Sequence, residues 1–81
     1  MYTLILYSTP RCHLCDQAKA LFHAHRDSKQ FKLEITDIAG SEELMDRYGI
    51  RIPVICDPVT GREIGWPFGE KQLSKFLSRL S

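Results

Sequence analysis

Ser8-Thr9-Pro10-Arg11-Cys12-His13-Leu14-Cys15 decides how the rest of the chain is read, because it sets two thiols three positions apart where one hydrophobic pattern gives way to another. Before it, Thr3-Leu4-Ile5-Leu6-Tyr7 is a short apolar run of the kind that fills a buried strand. After it, Leu14, Ala18, Leu21, Phe22 and His25 recur at the spacing of one helix face. Cys12 is therefore expected near a helix N-terminus. There the unpaired backbone N–H groups and the positive end of the helix dipole favour a thiolate over a thiol. With the two cysteines on adjacent turns of a helix start, the sulfurs can approach within bonding distance of each other.

Composition narrows the chemistry further. With 81 residues the chain is expected to form one domain, residues 1–81, with every apolar segment contributing to one core. Its three cysteines are too few for a disulfide scaffold, so their use is read as chemical. Eleven basic and ten acidic side chains leave a net charge of +1, which gives no footprint for nucleic acid or for an anionic membrane. No charged-then-apolar leader pattern precedes the first strand, and no apolar run approaches a bilayer span. A soluble monomer in a reducing compartment, the cytoplasm, is the expectation.

Taken in order, residues 2–7 read as a first strand, β1, followed by the thiol loop and a helix α1 over about 12–26. Asp27-Ser28-Lys29-Gln30 breaks the pattern. Phe31, Leu33 and Ile35 then alternate with Lys32, Glu34 and Thr36, the period of a strand, β2 (31–36), with one packed face. The connection requires a crossover helix, so β1 and β2 should be parallel. Ser41 is a candidate N-cap for a short helix α2 (42–48), with Glu42 and Glu43 in its first turn, a buried edge of Leu44, Met45 and Tyr48, and Gly49 as its stop. Ile50-Arg51-Ile52-Pro53-Val54-Ile55-Cys56 supplies a strand β3 interrupted by proline. Asp57-Pro58-Val59-Thr60-Gly61 has turn chemistry and leads into a hairpin partner, β4 (62–64). After the Gly65-Trp66-Pro67-Phe68-Gly69 loop, Leu73, Phe76, Leu77 and Leu80 mark the buried face of a closing helix α3 (71–80), with Lys71, Lys75 and Arg79 opposite.

The order β1-α1-β2-α2-β3-β4-α3 together with Leu6-Tyr7-Ser8, the Cys12/Cys15 pair, Ile52-Pro53-Val54 and Gly65 resembles the thioredoxin superfamily, and within it the small glutaredoxin-like proteins. The resemblance spans nearly the whole chain. It implies an α/β fold with a four-stranded mixed sheet in the order 2-1-3-4, the last two strands antiparallel to the first two, and helices on both faces. It also implies that Pro53 is cis and forms the wall opposite the cysteines. The backbone N–H and C=O of Ile52 would then pair with an extended substrate segment beside Cys12, and Trp66 would add an apolar wall. The sequence departs from typical glutaredoxins in two places. His13-Leu14 stands between the thiols where proline usually follows the first cysteine. Gly65-Trp66 stands where paired glycines hold glutathione, and the bulk of tryptophan argues against glutathione dependence.

The chemistry expected is thiol–disulfide exchange, with Cys12 as nucleophile and Cys15 as the resolving thiol. Arg11 and a protonated His13 would stabilise the Cys12 thiolate, whereas Asp16 would oppose it. Arg11, His13, Ile52, Pro53, Gly65 and Trp66 are thus the candidate substrate contacts. The substrate would be a protein or small-molecule disulfide, with a reductase or glutathione as electron source and no tightly bound cofactor. The alternative is a binding module whose thiols act as a redox latch without turnover. No metal site is expected: zinc needs two more ligands, and His23 lies about 12 Å past Cys15 along a helix. A cluster shared between two chains stays open. Cys56 reads as a buried strand residue, His23 and His25 as helix-surface residues with His25 at the core rim, and Arg26, Lys29 and Lys32 as a solvated edge.

Overall fold

A computed structural model describes residues 2–80. Its elements are β1 (Tyr2–Ser8), α1 (His13–Ala24), a 3-10 turn over Arg26–Gln30, β2 (Phe31–Asp37), α2 (Glu42–Tyr48), β3 (Val54–Cys56), β4 (Glu63–Gly65) and α3 (Glu70–Ser78). The four strands form one sheet in the order β2-β1-β3-β4, as expected. β1 and β2 are parallel from Tyr2 opposite Phe31 to Ser8 opposite Asp37. β3 runs against β1, with Tyr7 opposite Val54, and β4 runs against β3, with Val54 opposite Gly65. The expectation that both late strands oppose the first two is therefore corrected. A hairpin reverses direction, so β4 runs the same way as β1 and only β3 is opposed.

Each face of the sheet carries its own core. On one, Leu4, Leu6, Phe31 and Ile55 pack with Ala18 and Phe22 of α1 and with Leu73 and Leu77 of α3. On the other, Val54, Ile38 and Tyr48 close under α2, flanked by Tyr7, Leu44 and Ile52. Because β3 is covered on both faces, its Val54-Ile55-Cys56 run is buried throughout.

Three apolar positions depart from the periodic reading. Leu14, Met45 and Ile35 are each about half exposed (45%, 43% and 51%). Leu14 sits on the first turn of α1, ahead of the stretch that lies on the sheet. Ile35 lies toward the C-terminal end of an edge strand, where only Phe31 and Leu33 reach the core. Met45 lies one position after Leu44, and a seven-residue helix turns a single narrow stripe inward.

The caps explain where the short helices begin and end. Ser41 Oγ accepts the Leu44 N–H at 3.3 Å, satisfying one of the donors a helix start leaves open. At the other end of α2, Gly49 has an ordinary helical conformation, but a Cβ there would lie 2.5 Å from the Met45 carbonyl oxygen. α1 stops at Ala24 because His25 turns extended, and its Nδ1 then accepts the Asp27 N–H at 3.1 Å to start the 3-10 turn. His25 is 7% exposed, deeper than the core rim.

The β3–β4 hairpin is closed by a group the sequence reading treated only as turn chemistry. Asp57 is fully buried. Its carboxylate accepts the Tyr2 hydroxyl at 2.6 Å, the Val59 N–H at 3.0 Å, and both the N–H and the hydroxyl of Thr60. Burial alone would push this carboxyl up. The hydrogen bonds from Thr60, Tyr2 and Val59 outweigh it and hold the group below the usual carboxylate range.

Candidate functional site

β1 ends at Ser8, and the chain turns through Pro10 and Arg11 into α1. Arg11 adopts φ +62°, a left-handed conformation that costs a non-glycine residue about 1–2 kcal/mol. The turn leaves Cys12 extended as the N-cap of α1 rather than as its first residue. From there its carbonyl accepts the Asp16 N–H at 3.1 Å, and its Sγ accepts the Cys15 N–H at 3.1 Å. The sulfur thus occupies the place a capping hydroxyl or carboxylate takes elsewhere.

Cys12 and Cys15 are joined as a disulfide, with Cα atoms 5.2 Å apart. They differ in access. Cys12 is half-buried, while Cys15 faces the core and is only 3% exposed. Once the bond is reduced, a Cys12 thiolate would meet the Cys15 N–H and the helix N-terminus, both of which favour negative charge. His13 and Arg11 are both exposed beside it.

A cavity of about 300 Å³ opens beside the disulfide. Arg11 and Lys19 bring positive charge to it, Asp16 and Asp37 negative charge, and Ile35 an apolar patch. Lys19, Ile35 and Asp37 were not singled out from the sequence. The signal was present, since parallel β1 and β2 finish side by side and ligands of such sheets gather at the strand C-termini. Asp37 is also engaged locally, its Oδ1 accepting the Ala39 N–H at 2.8 Å.

The remaining candidates form a second group at the same end of the sheet, outside the lining of that cavity. Register brings them together: Val54 lies between Tyr7 and Gly65, and the Trp66 N–H donates to the Pro53 carbonyl at 3.0 Å. The Ile52-Pro53 peptide is cis, as is Trp66-Pro67. Pro53 is fully buried, so its ring presents no open wall. Trp66 is half-buried, edge-on to Phe68 at 5.2 Å and packed on the core. The Ile52 N–H donates to the Tyr48 carbonyl at 3.0 Å. In this conformation the donor expected to pair with a substrate segment is therefore already engaged inside the protein.

Tyr48 is what holds that segment in place. Its ring stacks on Tyr7 at 4.3 Å, its carbonyl accepts from both Arg51 and Ile52, and its hydroxyl donates to Glu63. Burial, followed by the bond to the Glu63 carboxylate, raises the Tyr48 hydroxyl well above its ordinary value. Arg51 lies over the Tyr48 ring at 5.6 Å and meets Glu63 at 3.4 Å. The remaining thiol, Cys56, is 7% exposed. Burial and the nearby Glu63 and Asp57 carboxylates push it up, against a smaller opposing pull from Arg47. It is a protonated, packed side chain at neutral pH, as the sequence suggested.

Among the described residues no group of three or more His, Cys, Asp or Glu side chains is placed to hold a metal ion. No helix among them is long and apolar enough to cross a membrane.

A thioredoxin-like sheet with a Cys-x-x-Cys pair at the N-terminus of its first helix defines a small redox-type protein. The family follows from comparison: residues 3–78 match the glutaredoxin-like domain family (DUF836), and the chain belongs to it. Among solved structures it is similar to target protein XcR50 from X. campestris. The X-ray structure of XcR50 is 37% identical over 94% of this chain and 96% of that one, with a TM-score of 0.76. The XcR50 solution structure is 35% identical over 98% and 95%, with a TM-score of 0.79. Protein Ne2328 from Nitrosomonas europaea is 26% identical over 93% and 89%, with a TM-score of 0.77. No curated protein matches the chain.

Proposed function

We propose that this protein is a thiol–disulfide oxidoreductase acting on a protein or small-molecule disulfide, with Cys12 as the attacking sulfur and Cys15 as the resolving one. The observation that carries this reading is the asymmetry of the pair. Cys12 is half-buried and its sulfur caps the helix N-terminus, whereas Cys15 is buried one turn further in.

In the reduced protein the Cys12 thiolate attacks one sulfur of the substrate disulfide and forms a mixed disulfide. The other substrate sulfur leaves as a thiolate and takes up a proton. Cys15 then gives up its proton and attacks Cys12 Sγ, which releases the second substrate thiol and leaves the Cys12–Cys15 disulfide. Two electrons pass from the protein to the substrate, and an external thiol donor, a reductase or glutathione, must restore them. The mixed charges of Arg11, Lys19, Asp16 and Asp37 beside the sulfurs suit a substrate with both signs of charge near its disulfide, such as a peptide segment. Trp66 bears against glutathione as that donor. The site is read as acting in a monomer, without a tightly bound cofactor, in a reducing cytoplasm.

Cys15→Ser tests the assignment. Without its resolving thiol the protein should retain its substrate as a mixed disulfide at Cys12, which mass analysis of material recovered from cell extract identifies. The wild type should also reduce a generic disulfide at substoichiometric concentration when supplied with a thiol donor. A Cys15→Ser protein that carries no adduct, together with a wild type that fails to turn over, would overturn the reading.

A further inference from the structure

β4 is an edge strand, and its outer side is open. The Arg62 carbonyl accepts the Asp57 N–H at 2.8 Å, and the Trp66 N–H donates to Pro53 at 3.0 Å, so Arg62, Ile64 and Trp66 turn their backbone groups toward β3. By strand alternation the N–H and C=O of Glu63 and Gly65 point outward. A Cβ added at Gly65 would meet no atom within 4 Å.

Between this edge and α3 lies a cavity of about 340 Å³, floored by Ile64 and Phe76 and lined by Arg62, Gln72, Lys75 and Arg79. Among the described residues none of those three cations forms an ion pair; the recorded pairs involve His25, Arg26, Lys32 and Arg51. Glu63 is the acidic residue of the lining, and its carboxylate is taken up by Tyr48 and Arg51. The face is thus locally basic in a chain whose net charge is only +1.

We propose that this edge receives an extended acidic segment of a partner protein, which adds as a strand to β4 and sets its carboxylates against Arg62, Lys75 and Arg79. Outward amides on Glu63 and Gly65 match a peptide backbone, which has the paired donors and acceptors that a phosphodiester or a lipid headgroup lacks. A second copy of the chain would bring the same three cations against their equivalents and be repelled. The strand order also separates this face from the sulfurs. Gly65 lies opposite Val54 and Val54 opposite Tyr7, close to where the thiol loop leaves β1 at Ser8. But β3 stands between β4 and β1, so the outer edge of β4 is two strand spacings, about 10 Å, from β1. A segment bound here leaves Cys12 open, so binding is expected to be the same in the disulfide and dithiol forms.

The test titrates a short fluorescein-labelled peptide of alternating Glu and Val with the protein, read by fluorescence anisotropy. It runs beside the Lys-Val counterpart, a Glu-Val peptide N-methylated on alternate residues, single-stranded oligo-dT and phosphatidylserine vesicles. The Glu-Val peptide should bind saturably, equally in both redox forms and more weakly as salt rises. N-methylation should weaken it several-fold. Lys75→Glu combined with Arg79→Glu, both exposed, should weaken it about tenfold or more with unchanged circular dichroism. Absent saturable binding, equal binding of the Lys-Val peptide, an unaffected charge-reversed variant, or tighter binding of oligo-dT or vesicles would overturn the proposal and leave these cations as guards against edge association.

Discussion

Asp57→Asn should be among the most destabilising single-atom changes available to this protein, and its effect should depend on pH. The buried carboxylate gathers two hydroxyls and two backbone N–H groups. An asparagine keeps the shape, but it replaces one acceptor oxygen with an NH₂ that faces those donors. Hydrogen bonds to a charged group contribute about 1.5–3 kcal/mol each, and a buried donor left without an acceptor costs about 1–3 kcal/mol. Oδ2 accepts three of the four bonds and Oδ1 only the one from Val59. An asparagine that keeps its oxygen at the Oδ2 position therefore loses one bond, leaves the Val59 N–H facing its NH₂ and weakens the other three by removing the charge. The loss expected at neutral pH is about 2–4 kcal/mol, or a midpoint lowered by roughly 10–25 °C for a domain of this size. Tyr2→Phe removes one of the four and should cost about 1–2 kcal/mol. The sign with pH follows from linkage. The Asp57 carboxyl is held below its unfolded value, so its contribution is full above about pH 4 and disappears as pH falls through the lower folded value. Urea unfolding of wild type and Asp57→Asn at a series of pH values tests this, because the gap between them should narrow in acid while m stays constant. A gap under about 0.5 kcal/mol at pH 7, where surface changes ordinarily fall, or one that stays the same down to pH 2, would refute the reasoning.

Phe22→Ala removes a ring that is 1% exposed and belongs to the core cluster formed by the sheet, α1 and α3, and should cost about 3–5 kcal/mol in the same unfolding experiment. Gly61 sits at φ +78° in the hairpin turn with open space around it. Gly61→Ala should therefore lose about 1–2 kcal/mol through backbone conformation alone, and Gly61→Asn should lose less. In the reduced protein, Cys12 should react with iodoacetamide at a pH below that required by free cysteine. Cys56, with its thiol pushed up by burial, should label only after unfolding, and mass analysis of the alkylated sites separates the two.

What could be read from the sequence and what could not divide along a physical line. The succession of strands and helices along the chain and the positions of Cys12 and Cys15 rest on short-range patterns, namely an apolar run, a 3.6-residue period and a capped helix start, which operate within a dozen residues of chain. The order of the strands within the sheet, in contrast, came from the family resemblance. The Asp57 network depends on Tyr2, 55 positions away. A Pro-containing Asp-to-Gly turn looks the same whether its aspartate faces water or a tyrosine. Leu14 belongs to the helical period of α1 and yet stands exposed at its start, because periodicity reports a direction and not how far the neighbouring sheet extends. The cavity beside the sulfurs needed one further step, the pairing of Ser8 with Asp37, which follows from a parallel β1–β2 pair but sits beyond the alternating stretch that identified β2. Ile52 shows the opposite limit. Its place as a substrate contact was an expectation of the resemblance, and the engagement of its N–H by Tyr48 depends on how α2 folds back onto the chain.

If Cys12 is the attacking sulfur proposed above, the separation of Asp57 from the sulfurs bears on how a chain this small keeps it. β1 runs from Tyr2, tied to Asp57 at one end of the sheet, to Ser8, where the thiol loop leaves at the other. At the thiol end the turn carries Arg11 in a conformation that costs energy, and the sulfur of a half-buried Cys12 takes the N-cap. Those features weaken the fold locally. At the far end a fully buried carboxylate with four donors fastens the first strand to the last hairpin, and the two sheet faces are filled around it. If stability and reactivity are divided in this way, Asp57→Asn should lower the unfolding midpoint while the pH profile of Cys12 alkylation in the folded, reduced protein stays where it was. A profile that shifted with Asp57 would mean that the hairpin reaches the sulfur through the sheet, and that the two ends of β1 form one unit.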